Sequence, residues 1–365
     1  MGWKKLNLLG RGSYGSVYSA GEATGSLIAV KSCNFSLSSS LQFEVKLLQL
    51  LSDCPFVING IGSDISMEEG TYVYNLLLEY VSGGSLDNLI KKSHNNNGGK
   101  NMSESEIASY AFMLLMGLSS IHNKGIVHCD FKPANILVIP TRNRMNLLKI
   151  ADFGLSKIAG DMGSNGKSRC TPLYASPESY LWGLNEKPGD IWALGCIIVE
   201  MITGKPLWSS KNYVDLVGQI AYRKPVLPGN LSEEVQDFLT RCLERDYRKR
   251  WTADMLLNHP FILKNLNNLS IDEIKSLRQE LVISKKREIM KKPWMYFKGM
   301  FSTSTSTTTT TVGVAEKVEE AADDVNNEKK LFISFNQVST KKSSLKKSLH
   351  SFSLTLGYQS NYQFY

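Results

Sequence analysis

The sequence predicts an α+β protein in two parts, a small sheet carrying one helix followed by a larger, mainly helical region. Two observations carry this. Up to about residue 81, apolar residues alternate or run in short blocks between turn residues, which is the period-two pattern of strands. After Gly83-Gly84 they recur at three and four, the period of helices. A third observation bounds the fold: beyond about Leu263 the apolar pattern gives way to charge runs and a stretch made only of Ser and Thr.

Taken in order, Leu6–Leu9, Ser16–Ala20, Leu27–Lys31, Phe56–Gly60 and Tyr72–Tyr80 are expected as strands, with Leu41–Leu51 as the helix among them. Leu86–Lys92 and Ser105–His122 follow as helices; in the second, Ile107, Tyr110, Ala111, Leu114, Leu115 and Leu118 share a face. His94–Asn101, rich in Asn and Gly, reads as a surface loop between them. Further helices are expected at Asp190–Thr203, Asn212–Ala221, Glu233–Cys242 and Thr252–Leu257. The tail holds a charged helical segment at Ile271–Lys292, the Ser/Thr run Ser302–Thr311, an acidic patch at Glu316–Asp324 and two Lys pairs at Lys341-Lys342 and Lys346-Lys347. The Ser/Thr run has no apolar surface to offset the entropy of ordering and is expected to be disordered.

A chain of 365 residues, 42% hydrophobic, can bury a sizeable core. Its net charge of +8 could point to a polyanion, but 16 basic and 10 acidic residues beyond residue 263 place +6 of it in the tail. The remaining part is near neutral, so nucleic acid is not an expected partner. The six cysteines form no Cys-x-x-Cys pair and no Cys/His spacing that would set up zinc ligation, and their scatter argues against a disulfide framework. No signal peptide is expected ahead of Gly10, and no apolar run of about 18 residues predicts a membrane span. Leu6 stands where an N-myristoylation motif wants Ser or Thr.

Chemistry begins at Gly10-Arg11-Gly12-Ser13-Tyr14-Gly15-Ser16-Val17. Glycines at this spacing let a hairpin backbone approach phosphate oxygens and aim N–H groups at them. A dinucleotide site uses similar spacing but requires a helix next, whereas Val17-Tyr18-Ser19-Ala20 reads as a strand. Ile28-Ala29-Val30-Lys31 then puts a lysine at a strand end, by itself no more than a solvated charge. His128-Cys129-Asp130-Phe131-Lys132-Pro133-Ala134-Asn135, Asp152-Phe153-Gly154 and Ser176-Pro177-Glu178 follow in that order.

This ordered set resembles the eukaryotic protein kinases, whose motifs are a Gly-rich loop, a Val-Ala-Ile-Lys lysine, His-Arg-Asp…Asn, Asp-Phe-Gly and Ala-Pro-Glu. The resemblance implies a two-lobed kinase fold over residues 3–263. An antiparallel-sheet N-lobe with one helix would span about 3–81, a mainly helical C-lobe about 82–263, and a variable tail 264–365. It also implies ATP and Mg²⁺ as cofactors. Lys31 would pair with the α- and β-phosphates, fixed by Glu44, the one acid in the Leu41–Leu51 helix. Asp130 would take the substrate hydroxyl proton, with Lys132 beside the transferred phosphoryl group, and Asp152 and Asn135 would hold metal. Leu9, Gly10, Gly12, Gly15, Val17, Ala29 and Leu137 would surround the nucleotide. Leu78 falls at the gatekeeper position, and the Glu79 carbonyl and Val81 N–H would meet the base edge.

Lys132, two after Asp130, resembles serine/threonine rather than tyrosine kinases. Glu79–Leu86, Ala151–Lys157, Thr171–Tyr174, Asp190–Cys196 and Asn258–Phe261 are similar to the mitogen-activated protein kinase kinase kinases, most of all the short MEKK-like group of plants. That likeness implies MAP kinase kinases as substrates. Without a predicted membrane span or lipidation motif, the protein is expected to be a cytoplasmic monomer free of the membrane, with the nucleus as a further compartment if the tail's Lys pairs act in import. Serine/threonine kinases with substrates outside a cascade, and a pseudokinase scaffold, are the alternative readings. The scaffold is disfavoured because Lys31, Asp130, Asn135 and Asp152 are all present.

Two departures stand out. Cys129 replaces the family's Arg before the catalytic aspartate, removing a cation for an activation-loop phosphate; such a contact is worth about 1.5–3 kcal/mol. Dependence on loop phosphorylation is expected to be weaker, and Cys129 itself to be packed and unreactive. In the activation segment, which includes Ser168 and Thr171, Cys170-Thr171-Pro172 and Ala175-Ser176-Pro177-Glu178 differ from Gly-Thr-Pro and Ala-Pro-Glu. Glu178 is expected to pair with Arg250, with Arg248 as the alternative. For the tail, a phosphoregulated or degradation segment and a nuclear-import or docking element stand beside a plain solvated linker.

Overall fold

Five strands form one antiparallel sheet in the spatial order β1-β2-β3-β5-β4: β1 (Trp3–Gly12), β2 (Gly15–Glu22), β3 (Leu27–Asn34), β4 (Gly60–Glu68) and β5 (Thr71–Glu79). The computed structural model describes residues 2–12, 15–95, 101–141, 145–161 and 171–266. Two compact units divide the chain, Met1–Lys292 and Pro293–Tyr365, and every described residue belongs to the first. The tail segments expected from 271 onward, Ser168, Cys170 and the middle of the Asn/Gly-rich loop lie outside the described residues.

On the buried side of the sheet, Ala20, Ile28 and Val30 form a core with Trp3 and Leu77 packed on it. Helix α1 (Ser39–Leu50) follows β3 and buries Leu41, Val45, Leu47 and Leu48, at the three- and four-residue spacing that its sequence shows. Among these apolar positions it also buries one acid, Glu44.

Of the expected strand Phe56–Gly60, only Gly60 enters this sheet. Phe56, Val57 and Ile58 are buried in an irregular connection that bonds to Ile150 of the helical lobe, with Ile58 N to Ile150 O and Ile150 N to Phe56 O both 2.8 Å. Their apolar character comes from contact between lobes rather than from the sheet. The true fourth strand, β4, begins at Gly60 and lies on an edge, where Gly, Ser and Asp are tolerated because one side faces solvent. That is why its sequence carries no strand signal.

The helical lobe opens with α2 (Leu86–Asn95) and α3 (Glu104–Asn123). Two short ladders come next, β6 (Ile126–Val127) with β9 (Lys157–Ile158), and β7 (Ile136–Ile139) with β8 (Leu147–Ile150). Then follow α4 (Pro177–Trp182), α5 (Lys187–Thr203), α6 (Tyr213–Tyr222), α7 (Glu233–Cys242), α8 (Ala253–Leu257) and α9 (Pro260–Leu266). Side-chain caps start α3, α6, α7 and α8 through Ser103, Asn212, Ser232 and Thr252. The ladders, α4 and α9 were not foreseen, because two to seven residues are too few for a period to show.

Helix α5 is the axis of this lobe, buried without a break from Asp190 to Met201. At Gly195 any Cβ would stand 2.9 Å from Cys242 and Leu243, so the missing side chain sets how closely α5 meets α7. Arg250 locks the start of α4 to this core. Its two terminal nitrogens reach Glu178 Oε1 and Oε2 at 2.6 and 3.0 Å, Nε donates to Glu244 O, and its guanidinium lies over Trp192. Arg250, not Arg248, is therefore the partner of Glu178.

Removing one member of a buried charged pair leaves the other uncompensated, at a cost of about 3–5 kcal/mol. Arg250→Met should lower the unfolding free energy of the full chain by that amount in urea titration, and a loss under 1 kcal/mol would contradict it.

Candidate active site

The glycine-rich turn divides by role. Gly15 has φ +134°, and a Cβ there would fall 2.3 Å from Ser32 O, so only glycine lets β2 pass β3 at this point. Among the described residues other than its chain neighbours, none comes within 4 Å of a Cβ built at Gly10, and at Gly12 only the Gly15 carbonyl does, at 4.0 Å. Those two leave open backbone of the kind that admits a ligand's phosphates.

Beside the sheet, strand β3 and helix α1 aim Lys31 and Glu44 at each other. Lys31 Nζ donates to Glu44 Oε2 at 2.6 Å and to Asp152 Oδ1 at 2.7 Å, while Phe153 N donates to Glu44 Oε1 at 3.1 Å. Burial disfavours the charge on Lys31, but Glu44 and Asp152 outweigh it and hold the ammonium well above its ordinary pKa. Burial pushes the Glu44 carboxyl up, with Lys31 pulling the other way. Asp152, whose side chain is 46% exposed, is opposed by partial desolvation yet held below the usual carboxylate range by Lys31. Its backbone is left-handed, φ +62°.

A second cluster forms around Asp130. Thr171 Oγ1 and N both donate to Asp130 Oδ1, at 2.6 and 3.2 Å. Lys132 Nζ donates to Asp130 Oδ2 and to Thr171 Oγ1, each at 2.7 Å. Asn135 Nδ2 donates to the Asp130 carbonyl at 2.9 Å and to its Oδ2 at 3.0 Å, which leaves Asn135 Oδ1 as the amide's open acceptor. His128 packs edge-on to Phe131 and against Phe153; its Nδ1 accepts from Asp130 N, so Nε2 carries the proton it donates to Ala151 O at 3.1 Å.

One residue that holds this cluster had no role in the sequence reading. Asp190, in the first turn of α5 and 2% exposed, accepts from the backbone N–H of His128 at 2.9 Å and of Cys129 at 3.0 Å, and pairs with His122 Nε2 at 2.9 Å. It thereby fixes Cys129 at φ +66°, a conformation that costs a non-glycine residue about 1 kcal/mol or more. An acid directly before the apolar run Ile191–Val199 was the available signal. Cys129 is buried, with Sγ 3.7 Å from Val127 O, as expected.

At the hinge, Ala29 pairs with Leu78 and Val17 with Lys31 across the sheet. Leu137 sits in β7, bridged to Ser85, and Gly83 lies so close to Val138 O that a Cβ would clash at 2.2 Å. The Glu79 side chain accepts from Asn59 N at 2.7 Å and Lys149 Nζ at 2.6 Å, a structural duty absent from the sequence reading. Leu9, on β1, is exposed, and Leu78 and Val81 are half-buried.

The fold thus gathers Lys31, Glu44 and Asp152 in one cluster and Asp130, Lys132, Asn135 and Thr171 in another, joined by the bond from Ala151 N to Asn135 O at 2.9 Å. Residues 3–262 match the family described as "Protein kinase domain". The chain belongs to the protein kinase family. Mitogen-activated protein kinase kinase kinase 20 of Arabidopsis thaliana is 40% identical over 73% of this chain and 80% of its own length. Kinase kinase kinases 17 and 18 of the same plant are 40% and 39% identical, over 70% and 78% of their lengths. The kinase is accordingly an enzyme of the serine/threonine class, of the mitogen-activated protein kinase kinase kinase type, using ATP and protein substrates.

Replacing Lys31 by Met removes the main counter-charge to Glu44. The Glu44 carboxyl of the Lys31→Met protein should titrate at higher pH than in wild type by carbon-detected NMR; an unmoved or lowered titration would refute the coupling.

Proposed function

We propose that this kinase transfers the γ-phosphoryl group of ATP, with Mg²⁺, to Ser or Thr hydroxyls of MAP kinase kinases. The observation that carries the chemistry is the Asp130 cluster, a carboxylate 7% exposed and held from three sides by Thr171, Lys132 and Asn135. Phosphoryl transfer needs an acceptor hydroxyl held in line and its proton received, together with charge neutralised on the phosphate oxygens. Asp130 accepts that proton and orients the hydroxyl. Lys132, already paired with Asp130, puts a positive charge where the phosphoryl group arrives. Lys31, kept cationic by its two carboxylates, binds the α- and β-phosphates, and Gly10 and Gly12 let the backbone close over them.

The donor set suits a hard divalent cation. Asp152 presents a carboxylate to the cleft and Asn135 an amide oxygen, and two oxygens are what Mg²⁺ takes from a protein when phosphates and water complete its shell. Among the described residues no cluster of three or more His, Cys, Asp or Glu forms a metal cage, in keeping with a cation that arrives with nucleotide. The bound ion would neutralise charge on the phosphate oxygens. The adenine would lie between Val17 and Ala29 on one side and Leu137 on the other, beneath Leu9, with Leu78 behind it. The Glu79 carbonyl and Val81 N–H would meet its edge.

The substrate reading rests on the relatives' names and on the resemblance of the hinge and activation-segment motifs. We place the kinase in the cytoplasm and nucleus as a monomer, free of membrane and nucleic acid, with its catalytic domain at 3–263 and the tail from 264 regulatory. Among the described residues no helix is long and apolar enough to cross a membrane.

Purified full-length kinase with ATP and Mg²⁺ should phosphorylate a panel of catalytically dead MAP kinase kinases on Ser or Thr. Lys31→Met and Asp130→Asn should each reduce the rate by roughly 10²-fold or more. Equal incorporation by wild type and both variants would remove the catalytic assignment. Generic protein substrates phosphorylated as well as the MAP kinase kinases would remove the cascade role alone.

A further inference from the structure

Helix α1 touches the Asp152–Gly154 turn at two points, one helical turn apart. Glu44 accepts from Phe153 N, and four residues earlier Ser40 Oγ donates to the Gly154 carbonyl at 2.8 Å. Positions i and i+4 lie on one face of a helix, so both bonds point the same way. Toward its other end α1 is fixed to the helical lobe: Lys124, just after α3, donates to Leu50 O at 2.5 Å and pairs with Asp53. Ser40 stands about 15 Å along the axis from that anchor. A swing of α1 about its anchored end displaces Ser40 furthest and Glu44 less. The bond from Ser40 is therefore the one with most leverage over whether Glu44 stays on Lys31.

The first turn of α1 carries no acid, and the nearest cation on the helix is Lys46. Its start is built of serines: Ser38 donates to Phe35 O and accepts from Gln42, and Ser39 is exposed. Only Ser40 reaches across to the Asp152–Gly154 turn among the residues preceding Glu44 on this helix.

We propose that Ser40 is a positioning residue for phosphoryl transfer: its hydroxyl clips the free end of α1 to the Gly154 carbonyl and so keeps Glu44 engaged with Lys31 and Phe153. The role is neutral and intrinsic to the chain, requiring a hydrogen-bond donor and no added charge. It rests on the phosphoryl-transfer reading above, since Ser40 acts through Glu44 and Lys31 and touches no reacting group.

The test compares Ser40→Ala and Ser40→Thr in the full chain with wild type. Loss of one neutral hydrogen bond corresponds to about a fivefold effect. The Ala variant should therefore lose about fivefold in kcat with KM for ATP within twofold of wild type, and the Thr variant, which keeps the hydroxyl, should regain most of it. Ala favours helix more than Ser does, so the melting temperature of Ser40→Ala should not fall. Hydrogen exchange of the Phe153 amide should speed up in the Ala variant and not in the Thr variant. A kcat of Ser40→Ala within twofold of wild type, failure of Thr to rescue, or a fall in melting temperature matching the lost activity would each overturn the proposal. Should wild type itself transfer no phosphate, the phosphoryl-transfer reading fails, and the exchange of Phe153 still reports whether Ser40 holds α1.

Discussion

A lysine ammonium placed inside a protein must be given counter-charges or lose its proton, and the position of Lys31 makes that demand on this chain. Strand β3 carries Lys31 into the interface where the sheet meets the helical lobe, with 6% of the residue exposed. The charge survives because Glu44 comes from α1 and Asp152 from the segment after β8, at 2.6 and 2.7 Å. Two neighbouring elements of the sheet lobe and a segment 121 positions further along the chain are thus compelled to meet. A buried charged cluster of this kind adds little net stability, since desolvation consumes most of the attraction. Its contribution is to specify one arrangement, in which α1 is docked and the Asp152–Gly154 turn lies beneath it.

The helical lobe solves the matching problem for Asp130, the carboxylate proposed to act in transfer. Asp130 must face the cleft while its neighbours take a backbone path that the chain does not favour, with Cys129 left-handed. Asp190 offsets that strain by accepting the two N–H groups that the path would otherwise leave unpaired in the core. Because Asp190 opens α5, whose residues are buried without a break from Asp190 to Met201, the segment carrying Asp130 is referenced to the core of the lobe. The pair Glu178–Arg250, packed on Trp192 of the same helix, ties down the far end of the activation segment in the same way. Thr171 then closes from that segment onto Asp130.

Much of this was legible in order along the chain. The glycines, Lys31, Asp130, Asn135 and Asp152 announce themselves because their residue types are those that bind phosphate, metal and a proton, and their order is hard to reach by chance. The helices with long apolar faces were legible for the ordinary reason of periodicity, as in α3 and α7. The failures share a cause. Phe56–Ile58 looked like a strand because a run buried between lobes and a run buried in a sheet are equally apolar. Strand β4 beyond Gly60 went unassigned because an edge strand can be polar. Asp190 was visible as a residue but not as a support, since its partners are backbone N–H groups that leave no trace in side-chain identity.

The sequence by itself therefore determined the two-part architecture, the family and the residue types that the fold gathers at the cleft, because each depends on residue type and local spacing. Glu44 was nameable as the one acid in its helix, and Arg250 as the favoured partner of Glu178. Tertiary structure alone decided which contacts join them. It chose Arg250 over Arg248, gave Glu79 and Lys149 to each other, set Gly15 apart from Gly10 and Gly12, and brought Ser40 within 2.8 Å of Gly154. The physical reason is that a hydrogen bond across 114 positions of chain is fixed by how elements pack, and packing is a property of the whole fold rather than of any segment.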